Sequence, residues 1–420
     1  VVLAIGVLYL ALVPTGRYLV RAAVAEAGIL YRRQSIEALV RDSTTTPATA
    51  RKLRLVLDAR RFAVDSIGLR AKESFTTYSQ LDRDTLVLVL SGAYRDRLVA
   101  KTWWFPIVGR VPYKGYFDFK GAQNAARALA DEGLDVYLRP SAAFSTLGWF
   151  NDPLLSTTLR ADSIDLANTV IHELTHNTFY ASGQAVFNES FANFVGARGS
   201  AWLFRSRGAP EAAAIADARW ADEKIMAEFW ARLYRSVDSA FTAHAADSAA
   251  RVAARDTLIA RARRYAVDSL SRRLTTITPR ALERMRIDNA ALLAHRVYNT
   301  DLDLFDRVLE EKRGDVRQAI ACVVEIARQA KKDPYEGLRE WLASPTSAAK
   351  SACGDRTRVS EGTSEKPPVR SPRLRVRQHL GNGDERATAT DYGTETPDHD
   401  VRRDKIARPS CGVPFKSRFS

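Results

Sequence analysis

The sequence predicts a mainly helical α+β fold, and three observations carry that expectation. Apolar residues recur at helical spacing between charges almost throughout Leu159 to Leu342. A shorter stretch before it switches to strand-like runs: Thr85-Leu86-Val87-Leu88-Val89-Leu90, Trp103-Trp104-Phe105 and Asp135-Val136-Tyr137-Leu138. The composition, 420 residues of which 46% are hydrophobic and 27% charged, suits a chain that buries a sizeable core and excludes disorder throughout.

In order along the chain, Val1 to Val13 is almost wholly apolar and is followed by Pro14-Thr15-Gly16-Arg17. Thirteen residues fall short of the about 20 that a span needs. Residues 1–17 are therefore expected to be a truncated signal sequence or membrane anchor. Tyr18 to Val40 and Ala48 to Ile67 read as two amphipathic helices, the second started by Thr46-Pro47. The strand-like runs follow, with a helical stretch from Ala122 to Asp131 between them. Residues 18–158 are thus read as N-terminal helices and a small mixed β-sheet, and residues 159–343 as a helical region, rich in Ala and Arg from Glu211 to Leu274. Beyond that the composition turns to Ser, Thr, Gly, Pro, Arg and Asp, and 344–420 is expected to be a disordered polar tail.

Charge and cysteine content narrow the function classes. The net charge is +14, but Lys and Arg are scattered among acids and no basic run is interleaved with aromatics, so no nucleic-acid partner is expected. An anionic membrane or envelope surface accounts for the excess more simply. Cys322, Cys353 and Cys411 share no metal-ligand spacing, so neither a disulfide framework nor a zinc knuckle can be argued from them.

The chemistry is carried by His172-Glu173-Leu174-Thr175-His176, an H-E-x-x-H motif inside a helical stretch from about Ser163 to Tyr180. Residues four apart on a helix project from one face one turn apart, which is how two neutral imidazoles share a Zn²⁺ ion. Glu173 stands beside them as a base for an activated water. A catalytic zinc needs a third protein ligand and an open fourth position. The chain turns at Ala181-Ser182-Gly183-Gln184 and resumes helical spacing, where Glu189 is the third-ligand candidate. One turn on, Asn193 is a candidate to accept an imidazole N–H and fix its tautomer.

With those residues in view, His172-Glu-Leu-Thr-His176 followed by Asn188-Glu189-Ser-Phe-Ala is similar to the pattern of the thermolysin-like gluzincins. Phe105-Pro-Ile-Val-Gly109, Tyr113-Lys-Gly-Tyr-Phe-Asp118, Tyr137 and Ser145-Thr-Leu-Gly-Trp-Phe-Asn-Asp-Pro-Leu-Leu-Ser-Thr157 resemble the bacterial predicted-aminopeptidase family more closely. The resemblance spans about Tyr18 to Trp341. It implies a zincin-like metallopeptidase fold, zinc-dependent hydrolysis of peptide bonds, a peptide or protein substrate, and a location in the bacterial cell envelope with attachment through the N-terminus. No Gly-Ala-Met-Glu-Asn-type segment, which grips the free amine in well-known gluzincin aminopeptidases, is present.

Gluzincin mechanics implies a further donor for the oxyanion, for which Tyr298 is the candidate and His295 the second choice. The segment Phe144 to Phe150 is read as an edge strand whose Thr146, Leu147 and Gly148 pair with extended substrate backbone. Trp103, Trp104, Phe105 and Trp149 are candidates to line an apolar cleft. Two other functions stay open: a non-catalytic binding or scaffold protein of the envelope on the same fold, and a zinc hydrolase of a non-peptide amide.

Overall fold

The computed structural model describes residues 13–345, apart from 83, 84, 86, 106–108, 142–152 and 299, together with 350, 353 and 354. Helix α1 (Pro14–Tyr31) opens the described chain. The expected single helix to Val40 is broken after it, because Gln34–Ser35 (β1) pairs antiparallel with Thr77–Ser79 (β2). Ser35 then caps a new short helix, α2 (Ile36–Arg41), its hydroxyl accepting from the Ala38 amide. Helix α3 (Pro47–Phe62) starts where Thr46-Pro47 predicts, with Thr46 as cap. It widens into a π turn over Ala63–Ile67 and stops at Gly68, whose φ of 87° is left-handed.

Among the described residues, the strands divide among three small sheets. Val87–Ala93 (β3) is the centre of an antiparallel sheet, flanked by Tyr113–Tyr116 (β6) and Asp135–Ser141 (β7). Trp103–Phe105 (β4) and Gly109–Val111 (β5) form a hairpin of their own. Pairing is mixed in the third sheet, where β2 pairs antiparallel with β1 and parallel with Leu154–Leu155 (β8). The one mixed sheet expected from the sequence is thus replaced by three. Periodicity marks a strand but not its neighbour, and β1, β2 and β8 are too short to carry a register signal. Helix α4 (Phe119–Asp131), capped by Asp118, covers the β3 sheet.

From there the molecule is helical: α5 (Ser163–Thr178), α6 (Ala185–Ser206), α7 (Pro210–Ala243), α8 (Ser248–Asp268), α9 (Pro279–Glu283), α10 (Asn289–Tyr298), α11 (Leu302–Glu311), α12 (Val316–Gln329) and α13 (Pro334–Ala343). Helix α6 is buried on nearly every side. Its burial takes in polar residues as well, Asn188, Glu189, Ser190 and Asn193 among them. Phe187, Phe191 and Phe194 of α6 meet Phe305 of α11 with ring centroids 5.6–5.7 Å apart. The α7–α8 hairpin packs a second core around Phe229, Trp230, Leu233 and Leu270.

Three long-range ties hold the helices in register. Arg219 of α7 reaches Asp162 and Asp165 at the N-terminus of α5, both at 2.6 Å. Asp306 of α11 accepts from Arg198 of α6 at 2.7 Å, Lys224 of α7 at 2.8 Å and the Trp220 indole at 2.9 Å. A Cys322–Cys353 disulfide ties α12 to chain beyond α13. Cys353 and Gly354, within the stretch expected as a polar tail, are buried, and residues 355–420 lie outside the described residues. Val1 to Leu12 lie outside the described residues. Among the described residues, no helix is long and apolar enough to cross a membrane.

Candidate metal centre

The site is built by two consecutive helices and the turn between them. Asp162 caps α5, accepting from the Ile164 and Asp165 amides at 2.9 Å each, and the helix runs through the H-E-x-x-H motif to Thr178. Gly183, at φ 73°, turns the chain in the left-handed region that glycine tolerates. Asn188 then clasps that turn from both sides: its Oδ1 accepts from the Ala181 amide and its Nδ2 donates to the Ala181 carbonyl, each at 2.8 Å. This clasp fixes where α6 starts and hence where the next residue, Glu189, points.

The approach of the two helices depends on small residues. A Cβ on Gly196 of α6 would collide with the Asn168 side chain of α5 and lie 3.0 Å from its carbonyl oxygen. A Cβ on Gly199 would lie 2.8 Å from Ile67 Cδ1 and 3.0 Å from Ile171 Cγ2. Both glycines weaken a mid-helix position by about 1 kcal/mol relative to alanine, so their place is explained by packing rather than propensity.

The result is a convergence of three donors. His172 Nε2 and His176 Nε2 are 3.3 Å apart, and Glu189 carboxylate oxygens stand 3.6 Å from the first and 3.7 Å from the second. All three residues are buried, and together they are the His/Cys/Asp/Glu group among the described residues able to hold a metal ion. A tetrahedron with zinc–ligand bonds of about 2.05 Å has an edge of about 3.3 Å. The spacing of the imidazole nitrogens matches that edge, and the carboxylate stands a few tenths of an ångström further off. The two distances are to different oxygens of the Glu189 carboxylate, and the donor set as a whole is of a kind that can hold a metal ion.

Electrostatics at the centre are dominated by carboxylates. Burial opposes a proton on His172, but Glu189, Glu173 and Glu223 together outweigh it and raise its affinity for a proton. Glu173, the neighbour of His172, is buried at 3% exposure. His172 Nδ1 is buried with no hydrogen-bond partner among the described residues. Asn193 thus does not serve that nitrogen. Its Nδ2 donates to Glu223 Oε1 of α7 at 3.2 Å.

Glu223 was not singled out by sequence. It is one of several acids in a long, charged, Ala-rich helix, next to Asp222, and no local pattern marks it. Burial pushes its carboxyl up to about 7, opposed by His172 and aided by Asp165.

The remaining candidates divide. Tyr298 closes α10, but its side chain lies outside the described residues, as do Thr146, Leu147, Gly148 and Trp149. His295, one turn earlier on α10, stacks on Trp230 with centroids 4.3 Å apart and planes 11° from parallel. Burial, with Arg139 nearby, holds its pKa down to about 4, so it is a neutral ring. Trp103, Trp104 and Phe105 lie on the β4–β5 hairpin, where Trp104 is 56% exposed, Phe105 is buried and Trp103 packs against Leu90, Leu129 and Val136.

Fold and site together define a class: a helical α+β protein with a buried His-His-Glu donor set and an acid beside it. The chain belongs to the family described as "Putative aminopeptidase", whose sequence profile matches residues 17–338. No curated protein and no solved structure matches the chain.

Proposed function

We propose that the protein is a zinc-dependent aminopeptidase in which His172, His176 and Glu189 hold the metal and Glu173 is the general base. The observation that carries this is the 3.3 Å separation of the two imidazole nitrogens with Glu189 closing the triangle. Family membership supports a peptidase acting on peptide substrates.

When bound, zinc supplies a Lewis acid that polarises the scissile carbonyl and acidifies a water. Glu173 follows the first histidine directly and is buried, which keeps bulk water from its carboxylate. It takes the proton of the attacking water on a carboxylate oxygen and hands it to the departing amine. The buried surroundings exclude bulk water and strengthen each of these charge interactions.

Metal analysis of the purified protein tests the reading. We expect about one zinc per chain in the wild type and loss of it in Glu189→Ala and His176→Ala. Full zinc content in Glu189→Ala would remove Glu189 from the ligand set. No uptake by the wild type would favour a binding protein on the same scaffold.

A further inference from the structure

Helix α1 (Pro14–Tyr31) has two apolar faces, and the rest of the protein covers one of them. We propose that the other, together with Trp104 of the β4–β5 hairpin, seats the protein on an anionic lipid bilayer, with α1 lying along the surface. The inference does not depend on the peptidase reading.

The covered face is defined by its contacts. Ile29 is buried with Val87, Val89 and Leu155, and its carbonyl accepts from Ser79 Oγ at 2.8 Å. Tyr18 packs on Phe105 and Tyr116, with ring centroids 5.6 and 6.5 Å apart. Turned away from those contacts are Val13, at the cap position, and Val20, Val24, Ala27 and Tyr31, all of them exposed. At 3.6 residues per turn these five fall within an arc of about 60°, so they form one stripe along the helix.

The hairpin stands beside α1, because Phe105 meets Tyr18. Side chains alternate along a strand, so Trp104 points away from that contact, and it is 56% exposed. Among the described residues nine large apolar side chains are exposed, and five of them, Val13, Val20, Val24, Tyr31 and Trp104, lie on α1, its cap and this hairpin. Exposure concentrated in this way marks an interaction surface, whereas single apolar residues scattered over a protein do not.

Charge selects the occupant. Arg17 and Arg21 are exposed along one side of the stripe, and Arg110 is exposed opposite Trp104 in the hairpin register. None of the three forms an ion pair among the described residues. Guanidiniums bordering an apolar stripe suit a bilayer, whose phosphates meet the cations while its acyl boundary takes the valines and the tryptophan. A second copy of the chain would cover the same stripe only by bringing two sets of arginines together, which like-charge repulsion opposes. Helix α1 also carries Arg17, Arg21 and Glu26, and no helix among the described residues is long and apolar enough to cross a membrane, so the surface is where it can lie.

The test is sedimentation of the full chain with phosphatidylcholine vesicles prepared with and without phosphatidylglycerol. We expect the wild type to bind the anionic vesicles about 10-fold or more tightly than the neutral ones. Val24→Asp and Trp104→Ser should each weaken that binding by about 10-fold, and Arg17→Gln/Arg21→Gln should reduce the preference for the anionic vesicles. These side chains are exposed, so melting temperatures should match the wild type's and show that each variant is folded. No binding by the wild type overturns the proposal, as does equal binding to the two kinds of vesicle. Binding that neither Val24→Asp nor Trp104→Ser weakens also overturns it, because the attachment would then belong to another part of the chain. A wild-type dimer that Val24→Asp dissociates, seen by sedimentation equilibrium without any vesicle binding, would make the stripe a contact between copies and overturn the bilayer assignment.

Discussion

Glu173 is buried like the three converging donors beside it but is not one of them, and that difference is what a substitution can test. Replacing it by Gln keeps shape and burial while removing the proton acceptor. We expect Glu173→Gln to keep zinc and to lose about 10²- to 10⁴-fold in kcat, read from steady-state kinetics beside metal analysis. Unchanged turnover would take Glu173 out of the mechanism. His295 makes a prediction of a different kind. Its pKa falls from an ordinary 6.5 to about 4 because burial disfavours the imidazolium. Between those values the unfolded chain binds more protons than the folded one, so the stability this ring contributes is complete above about 6.5 and is lost as pH falls toward 4. The effect is at most about 3 kcal/mol. Denaturant titrations of wild type and His295→Phe across that window should show a difference that changes with pH; a constant difference would mean that His295 does not titrate there.

At the scale of elements, the geometry of the site is a property of the α5–α6 pair. The H-E-x-x-H motif sets one face of α5, but the distance to Glu189 depends on Gly196 and Gly199 admitting close approach and on Asn188 clasping the turn. Gly196→Ala gains about 1 kcal/mol in helix propensity. It should nevertheless destabilise by about 1–3 kcal/mol, because the added methyl meets Asn168 across a packed interface. We also expect weaker zinc binding, since separating the helices moves Glu189 from the imidazoles. A stabilised variant with unchanged zinc affinity would show that α5 and α6 have room to spare. The motif was legible in sequence because five residues carry it. The glycines were not, since a mid-helix glycine carries no sign of the helix it will face. Glu223 was hidden for the same reason: its partner Asn193 is brought to it by the packing of α7 on α6.

For the whole molecule, the Cys322–Cys353 bridge is the covalent link between the helical region and the chain beyond it. It closes a loop with a sequence separation of 31. Loop closure of that size stabilises by about 3–4 kcal/mol through the unfolded chain. A chain ending at Lys350 should therefore melt well below one ending at Gly354, and the Cys322→Ala/Cys353→Ala double variant should lose a similar amount in calorimetry. Equal melting temperatures would mean that the bridge contributes nothing to the fold in solution.

The sequence by itself determined the helical class, the start of α3 at Thr46-Pro47, the run of α4 to Asp131, and the five-residue motif on α5, because each is written in neighbours three or four positions apart. It also indicated Glu189, by its place in the first helix after the turn. Only the tertiary structure decided that the strands divide into three sheets, that Cys322 meets Cys353, and that Glu223 stands beside the His-His-Glu group. Those outcomes depend on contacts between residues dozens of positions apart, which packing selects and local spacing does not encode.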